Sequence, residues 1–319
     1  MDRRAFLLAA AAAPFGLRLA DVASGALEAW SPLAFVTADL DSHVAVVDLE
    51  RPRVVARIPT FAGPRSIETV GKRALVAHTA HGRISLVDTE ARRVRHVLDG
   101  FGEPRYTAAR RGLAYVTDSA RGEVVTVDVP HGSIVERTRV PGPARHVTST
   151  PDGEAIWTAL GSKASRIAVL DARDPRRPKL ARTVAPPFRA HDVVAAPDGE
   201  HVWVTSGDSR RLAVYERRGR RPLEIIAADA PPQHVAFAGD LAFVASGDDG
   251  TVRVHRHDGT LVREVEVPVG SYNVTFGSSC AVTPSLDRGT VALLEPNGRV
   301  RTVLQIARAA HDACVVGPI

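Results

Sequence analysis

From Leu33 onwards the chain is a succession of short apolar runs, four to six residues long, separated by turn-forming Gly, Pro, Asp and Asn. Runs of that length with that punctuation predict β-strands. One block of the pattern recurs seven times, starting at Leu33, Ala74, Leu113, Ala155, His201, Leu241 and Cys280, with spacings of 39 to 46 residues. Four strands in about 40 residues make one blade of a β-propeller.

The facing pattern separates a propeller from a sandwich. In the third strand of each block, Val44, Ile84, Val124, Ile167, Leu212, Val252 and Val291 occupy one column, and Val46, Leu86, Thr126, Val169, Val214, Val254 and Leu293 another. The positions between these columns are also largely apolar, so both faces of the strand are expected to be buried. A sheet pressed between two neighbouring sheets requires that, whereas a sheet with one wet face alternates with polar residues.

A further short strand is predicted between blocks, at Ile67 to Val70, Tyr106 to Ala109, His146 to Ser149, Asp192 to Ala196, His234 to Phe237, Asn273 to Phe276 and Ala313 to Val316. The chain enters at a second strand, Leu33 to Thr37, and leaves on a lone first strand, Ala313 to Val316. The expectation is an all-β, seven-bladed propeller of four-stranded antiparallel blades, closed by pairing of the C-terminal strand with the N-terminal blade. Closure of that kind removes exposed strand edges.

Residues 1–26 read as an export signal and 27–319 as the propeller. Arg3-Arg4-Ala5-Phe6-Leu7 is a twin-arginine start, followed by an apolar run to Phe15 and by small residues at Ser24 and Ala26. That run falls short of the ~20 residues that span a bilayer, so the mature protein is expected to be periplasmic or extracellular, without a membrane span, and monomeric. Cys280 and Cys314 would meet an oxidising compartment. Their strands belong to adjacent blades and are not opposed, so two buried thiols are expected rather than a bridge. The net charge of +5 comes almost wholly from Arg, with Lys only at 72, 163 and 179, and these Arg are interspersed with Asp and Glu. No basic stripe with interleaved aromatics is present, so nucleic acid is not an expected partner.

The segments FVTAD, YVTDS and WVTSG, each followed by a strand of the V-x-V-[VIL]-D type, resemble the YVTN-repeat family of seven-bladed propellers over about 290 residues. The chain is similar also to the propellers of quinoprotein amine dehydrogenase and of nitrous oxide reductase. It departs from the repeat at Val254-His255-Arg256, where an acid is missing, and at Pro284, inside a second strand. The superfamily hosts binders, scaffolds and enzymes, so the resemblance implies architecture and leaves function open.

No nucleophile elbow, P-loop, dinucleotide fingerprint, CxxC or HExxH occurs. The informative position is the start of the seven innermost strands, which the repeat places around the central channel. It holds Arg65-Ser66, Arg105-Tyr106, Arg145-His146, His191-Asp192, Gln233-His234, Tyr272-Asn273 and His311-Asp312. His146, His191, His234 and His311, with Asp192 and Asp312, form a candidate ligand or metal site, because imidazole with carboxylate suits Cu, Zn or Fe. Adjacent strand residues point to opposite faces, so His191 and Asp192 need not both reach the channel. Arg65, Arg105 and Arg145 lie on consecutive blades and are candidates for holding a small anionic ligand.

Loops between second and third strands add His43, His78, His81, Asp118, Asp208 and Asp248 at the same end. On the outer rim, Arg217, Arg218, Arg220 and Arg221 form a basic hairpin that could dock an acidic protein partner. The resulting expectation is an extracytoplasmic propeller that binds a small ligand or a protein partner on its top face without catalysis. The alternative is a metal- or cofactor-dependent enzyme, or a subunit of one, centred on the His/Asp mouth.

Overall fold

The structure, a computed structural model, describes residues 31–317. The twin-arginine segment lies outside the described residues. Twenty-eight strands form seven four-stranded antiparallel sheets, and the protein is a seven-bladed β-propeller. In chain order, the innermost strands of blades two to seven are Ile67–Val70, Pro104–Arg110, Val147–Ser149, Val193–Ala195, Val235–Ala238 and Thr275–Gly277. Blade one takes its innermost strand from the other end of the chain. Ala313–Val316 pairs antiparallel with Leu33–Ala38, with Leu33 opposite Val316 and Val36 opposite Ala313.

Val, Ala, Leu and Ile dominate the second and third strands, and almost every residue of both is buried. β-branched and small side chains suit a surface pressed against another sheet. Seven apolar clusters fill the seven gaps between adjacent blades; that between blades seven and one joins Val282 and Leu293 to Ala34 and Val47. The outermost strands are half wet. All seven blades carry a register slip between third and fourth strands, at Val46/Val47 in blade one and at the equivalent place in the others. An extra residue there bends the outer strand and sharpens its twist.

The acid that ends the third strand is a turn former. Asp48 Oδ1 accepts the backbone N–H groups of Glu50 and Arg51, both at 3.0 Å, and Asp88 does the same for Glu90 and Ala91. In blade six, where Arg256 replaces the acid, Asp258 takes over the turn by accepting the N–H of Thr260 at 2.9 Å. Pro284 is accommodated as the last residue of its strand, opposite Val291. Cys280 and Cys314 are both free and buried.

Candidate metal centre at the channel mouth

The starts of the innermost strands depart from regular pairing in one repeated way. Two consecutive residues embrace a single residue of the adjacent strand: the first donates its N–H to that residue's carbonyl, and the second accepts that residue's N–H. Arg65-Ser66 hold Ala77, Arg145-His146 hold Ala159, His191-Asp192 hold Thr205, Gln233-His234 hold Ala245 and His311-Asp312 hold Thr37, with bonds of 2.8 to 3.1 Å. In blade three the register likewise slips across Arg105-Tyr106. Two residues opposite one constitute a bulge, which breaks side-chain alternation and re-aims side chains. That is why His191 and Asp192 both reach the channel.

The threonine of the repeat locks these positions between blades. Thr205 Oγ1 accepts the N–H of Asp192 at 2.9 Å and donates to the carbonyl of Gln233, in the next blade, at 2.8 Å. Thr37 bridges Asp312 and Arg65 in the same way, and Thr117 bridges Tyr106 and Arg145.

His146, His191 and His234, from blades four, five and six, converge: each offers a ring nitrogen, and all three nitrogens lie within 4.8 Å of one another. The ring centroids are 4.6 Å apart for His146 and His191, 4.8 Å for His146 and His234, and 5.4 Å for His191 and His234. His234 Nδ1 lies 3.0 Å from Asp192 Oδ2, and His191 Nδ1 lies 3.2 Å from the Ser162 carbonyl. An acceptor on Nδ1 fixes the tautomer and leaves Nε2 as a free lone pair. His146 is 1% exposed, and among the described residues neither of its ring nitrogens has a hydrogen-bond partner. Tyr106 covers it, ring on ring, at 4.2 Å. Gly207 makes room for His191, since a Cβ on that glycine would lie 2.8 Å from the histidine Cβ.

Burial, reinforced by the neighbouring imidazoles, holds His146 well below the ordinary histidine range. Burial and the His234 charge lower His191 to about 4. Both rings are therefore neutral at pH 7, the state in which imidazole binds a metal. Beneath the triad runs a channel cavity of about 350 Å³, lined among others by Glu68, Tyr106, Asp192, Asn273 and Asp312. Burial raises Asp312 to about 6 and Glu68 to about 7, and in Glu68 the Asp312 charge adds to the rise.

The fourth histidine goes elsewhere. His311 Nδ1 lies 3.6 Å from Asp39 Oδ2, which also takes Arg65 at 3.1 Å. Burial would raise the Asp39 carboxyl, but His311 and Arg65 outweigh it and hold the group below its usual range. Asp312 Oδ2 accepts the N–H of Ile67 in blade two at 3.0 Å, and Oδ1 accepts that of Ala313 at 2.9 Å. These residues join blade one to blade two.

Of the three candidate arginines, Arg65 is paired with Asp39, and Arg105 with Glu103 at 3.0 Å. Arg145 has no carboxylate partner among the described residues. In the loops, Asp118 accepts the N–H groups of Gly102 and Glu103, Asp208 pairs with Lys163, and His78 is buried against Ser85 Oγ at 2.9 Å. His43 lies 3.2 Å from the Asp41 carbonyl, while His81 ends a single 3-10 turn. Asp248 accepts from Gln233 and from the Tyr272 hydroxyl, both at 3.1 Å. At the rim, Arg217 pairs with Asp152 and Glu200, and Arg218 with Glu154 at 2.9 Å. Arg220 and Arg221 have no ion-pair partner among the described residues. Three contributors escaped the sequence reading: Asp39, Glu68 and the threonine column, while Tyr106 was placed at the mouth without a role for its ring. Of the three, the threonine column carries a sequence signal, its recurrence in FVTAD, YVTDS and WVTSG.

No protein-family model and no curated protein sequence matches the chain. Solved structures do. The chain is similar to dihydro-heme d1 dehydrogenase NirN in complex with DHE, with a TM-score of 0.64, 15% identity, and 88% of this chain and 74% of that one covered. It is similar to hydrazine synthase from Kuenenia stuttgartiensis, with a TM-score of 0.70, 17% identity, and 82% and 91% covered. It is similar also to AztD from Citrobacter koseri, with a TM-score of 0.68, 10% identity, and 91% and 98% covered. At these identities the likeness is one of fold.

Proposed function

We propose that this protein is an exported, non-catalytic propeller that binds a divalent transition-metal ion through His146, His191 and His234. The observation that carries the reading is the convergence of three imidazole nitrogens within 4.8 Å, one ring being buried with both nitrogens unpartnered. A buried polar group without a partner costs about 1–3 kcal/mol, and a coordinated ion removes that cost for one of the two His146 nitrogens. Neutral imidazoles suit Zn and Cu. A tetrahedral Zn with bonds of ~2.0–2.1 Å sets nitrogens roughly 3.4 Å apart, so the triad closes slightly on its ion. Asp192 behind His234 and the Ser162 carbonyl behind His191 supply the outer support that metal-bound histidines use. The twin-arginine start supports export, and the repeat motif supports a place among YVTN-type propellers.

Elemental analysis and calorimetry with Zn²⁺ and Cu²⁺ test the reading. One ion per chain is expected, and none in the His146→Ala, His191→Ala double variant. A parent protein that holds no ion, and whose melting temperature ignores Zn, Cu and Fe salts, would sink the idea. One observation favours a second, catalytic reading: three ligands leave a coordination position open above a cavity, as catalytic metal sites do.

A further inference from the structure

The mouth carries one charge that the protein itself does not balance. Arg65, Arg105 and Arg145 occupy the same position in blades two, three and four. The first two each hold a carboxylate of their own, and a pocket of about 400 Å³ lies between them, walled by Asp39, Gly63, Gly102 and Glu103. Arg145 is half-buried, its Nε is buried without a partner, and among the described residues no carboxylate reaches it. A desolvated guanidinium without a counter-ion is unfavourable unless a ligand supplies the anion.

Arg145 directly precedes His146 in the chain. Tyr106 connects the two groups, its ring beside His146 at 4.2 Å and its side chain next to Arg145. Three imidazole ligands add no negative charge to a divalent ion, so metal and Arg145 together place two positive centres close to one another.

We infer that the metal-loaded mouth takes a small oxyanion, a carboxylate or a phosphate, held between the open metal position, the Arg145 guanidinium and the Tyr106 hydroxyl. The inference rests on the metal reading. The guanidinium fork matches either anion in two parallel bonds, so the ion is carried as an ion–anion pair rather than as a bare cation.

Co²⁺ provides the test, because its visible spectrum reports a change of fourth ligand. Co²⁺-loaded protein is titrated with acetate, oxalate and inorganic phosphate, with Co²⁺ content measured in each sample. Saturable spectral change is expected with oxalate or phosphate, and which of them binds more tightly tells carboxylate from phosphate. Arg145→Gln should keep its Co²⁺ and lose about tenfold or more in anion affinity, the scale of one charge-assisted bidentate contact. Tyr106→Phe, which keeps the ring that covers His146, should lose a few-fold. Co²⁺ bound at full stoichiometry with no response to any anion, or with the same response in Arg145→Gln, overturns this inference and leaves the metal reading standing. Absence of bound Co²⁺ in the parent overturns both.

Discussion

Blades four to six and blades one to two present the same repeat position to the channel, yet they use it in opposite ways. In blades one and two the carboxylates are engaged: Asp39 pairs with Arg65 at 3.1 Å and lies 3.6 Å from His311 Nδ1, and Asp312 takes two backbone N–H groups, one of them across the blade boundary. In blades four to six His146 finds none, and His191 and His234 are each tethered at one nitrogen. Satisfied groups at an interface do structural work, and here they lie where the ring closes. A buried group without a partner calls for an explanation such as a bound ion, and at His146 two further imidazoles converge on it. Histidine alone does not distinguish the two; its partners do.

Breaking the closing side should have the largest effect. Deleting residues 311–319 removes the innermost strand of blade one together with the Asp312 staple. The exposed edges of Leu33–Ala38 and the loss of Cys314 and Val316 from the core between blades one and two should leave protein that aggregates when expressed. A soluble truncation that melts at the parental temperature would show that the terminal strand contributes nothing to closure.

Breaking the open side should leave the fold and remove the ligand. His146→Ala should lower metal affinity by about 100-fold or more, and Asp192→Asn, which removes the carboxylate behind His234, by ~10–100-fold. Both should melt near the parental temperature. His311→Ala should do the reverse: metal affinity within about threefold of the parent, and a melting temperature several degrees lower because Asp39 loses a buried neighbour. Calorimetric titration with Zn²⁺ beside thermal melts decides between them. Equal loss of metal in His146→Ala and His311→Ala would erase the distinction between the two sectors.

The blades could be read from the chain because seven copies of one pattern average out local irregularity. Ile67–Val70 and Ala313–Val316 fall where the repeat places them, and the pairing of first and last strands follows from the phase of the repeat. The mouth was legible as a position but not as a geometry. Strand alternation predicts that His191 and Asp192 face apart, and only the two-against-one register turns both inward. The partition of the histidines was also hidden, since it depends on Asp39, far from His311 in sequence though in the same blade, and on Ser162, in the blade beside that of His191, and no spacing rule connects either to the inner strands. Glu68 looked like an ordinary strand residue because its place in the channel wall comes from the closing of the ring, not from its neighbours in sequence. At the rim, Arg217 and Arg218 read as a free basic patch, whereas Asp152, Glu154 and Glu200 engage them.

The smallest effect, and the one that sets the two sectors against each other directly, is the response of the metal-free protein to pH. Burial holds His146 and His191 below the ordinary histidine range, His191 at about 4 rather than 6.5. Between those values the unfolded chain binds more protons than the folded one, so this sector makes stability rise with pH. Asp312 and Glu68 are raised to about 6 and about 7 from 3.8 and 4.5. There the folded chain binds more protons, so that sector makes stability fall as pH rises from about 4 to 7. Each group contributes a slope of at most ~1.4 kcal/mol per pH unit, and in the parent the two pairs largely offset. The Glu68→Gln, Asp312→Asn variant should therefore gain stability from pH 4.5 to 6.5 relative to the parent's trend. The His146→Phe, His191→Phe variant should lose stability over the same range. Urea unfolding of chelator-treated protein at three pH values in that window reads both slopes, and slopes of the same sign in the two variants would show that the channel carboxylates and imidazoles are not the opposed titrating groups described here.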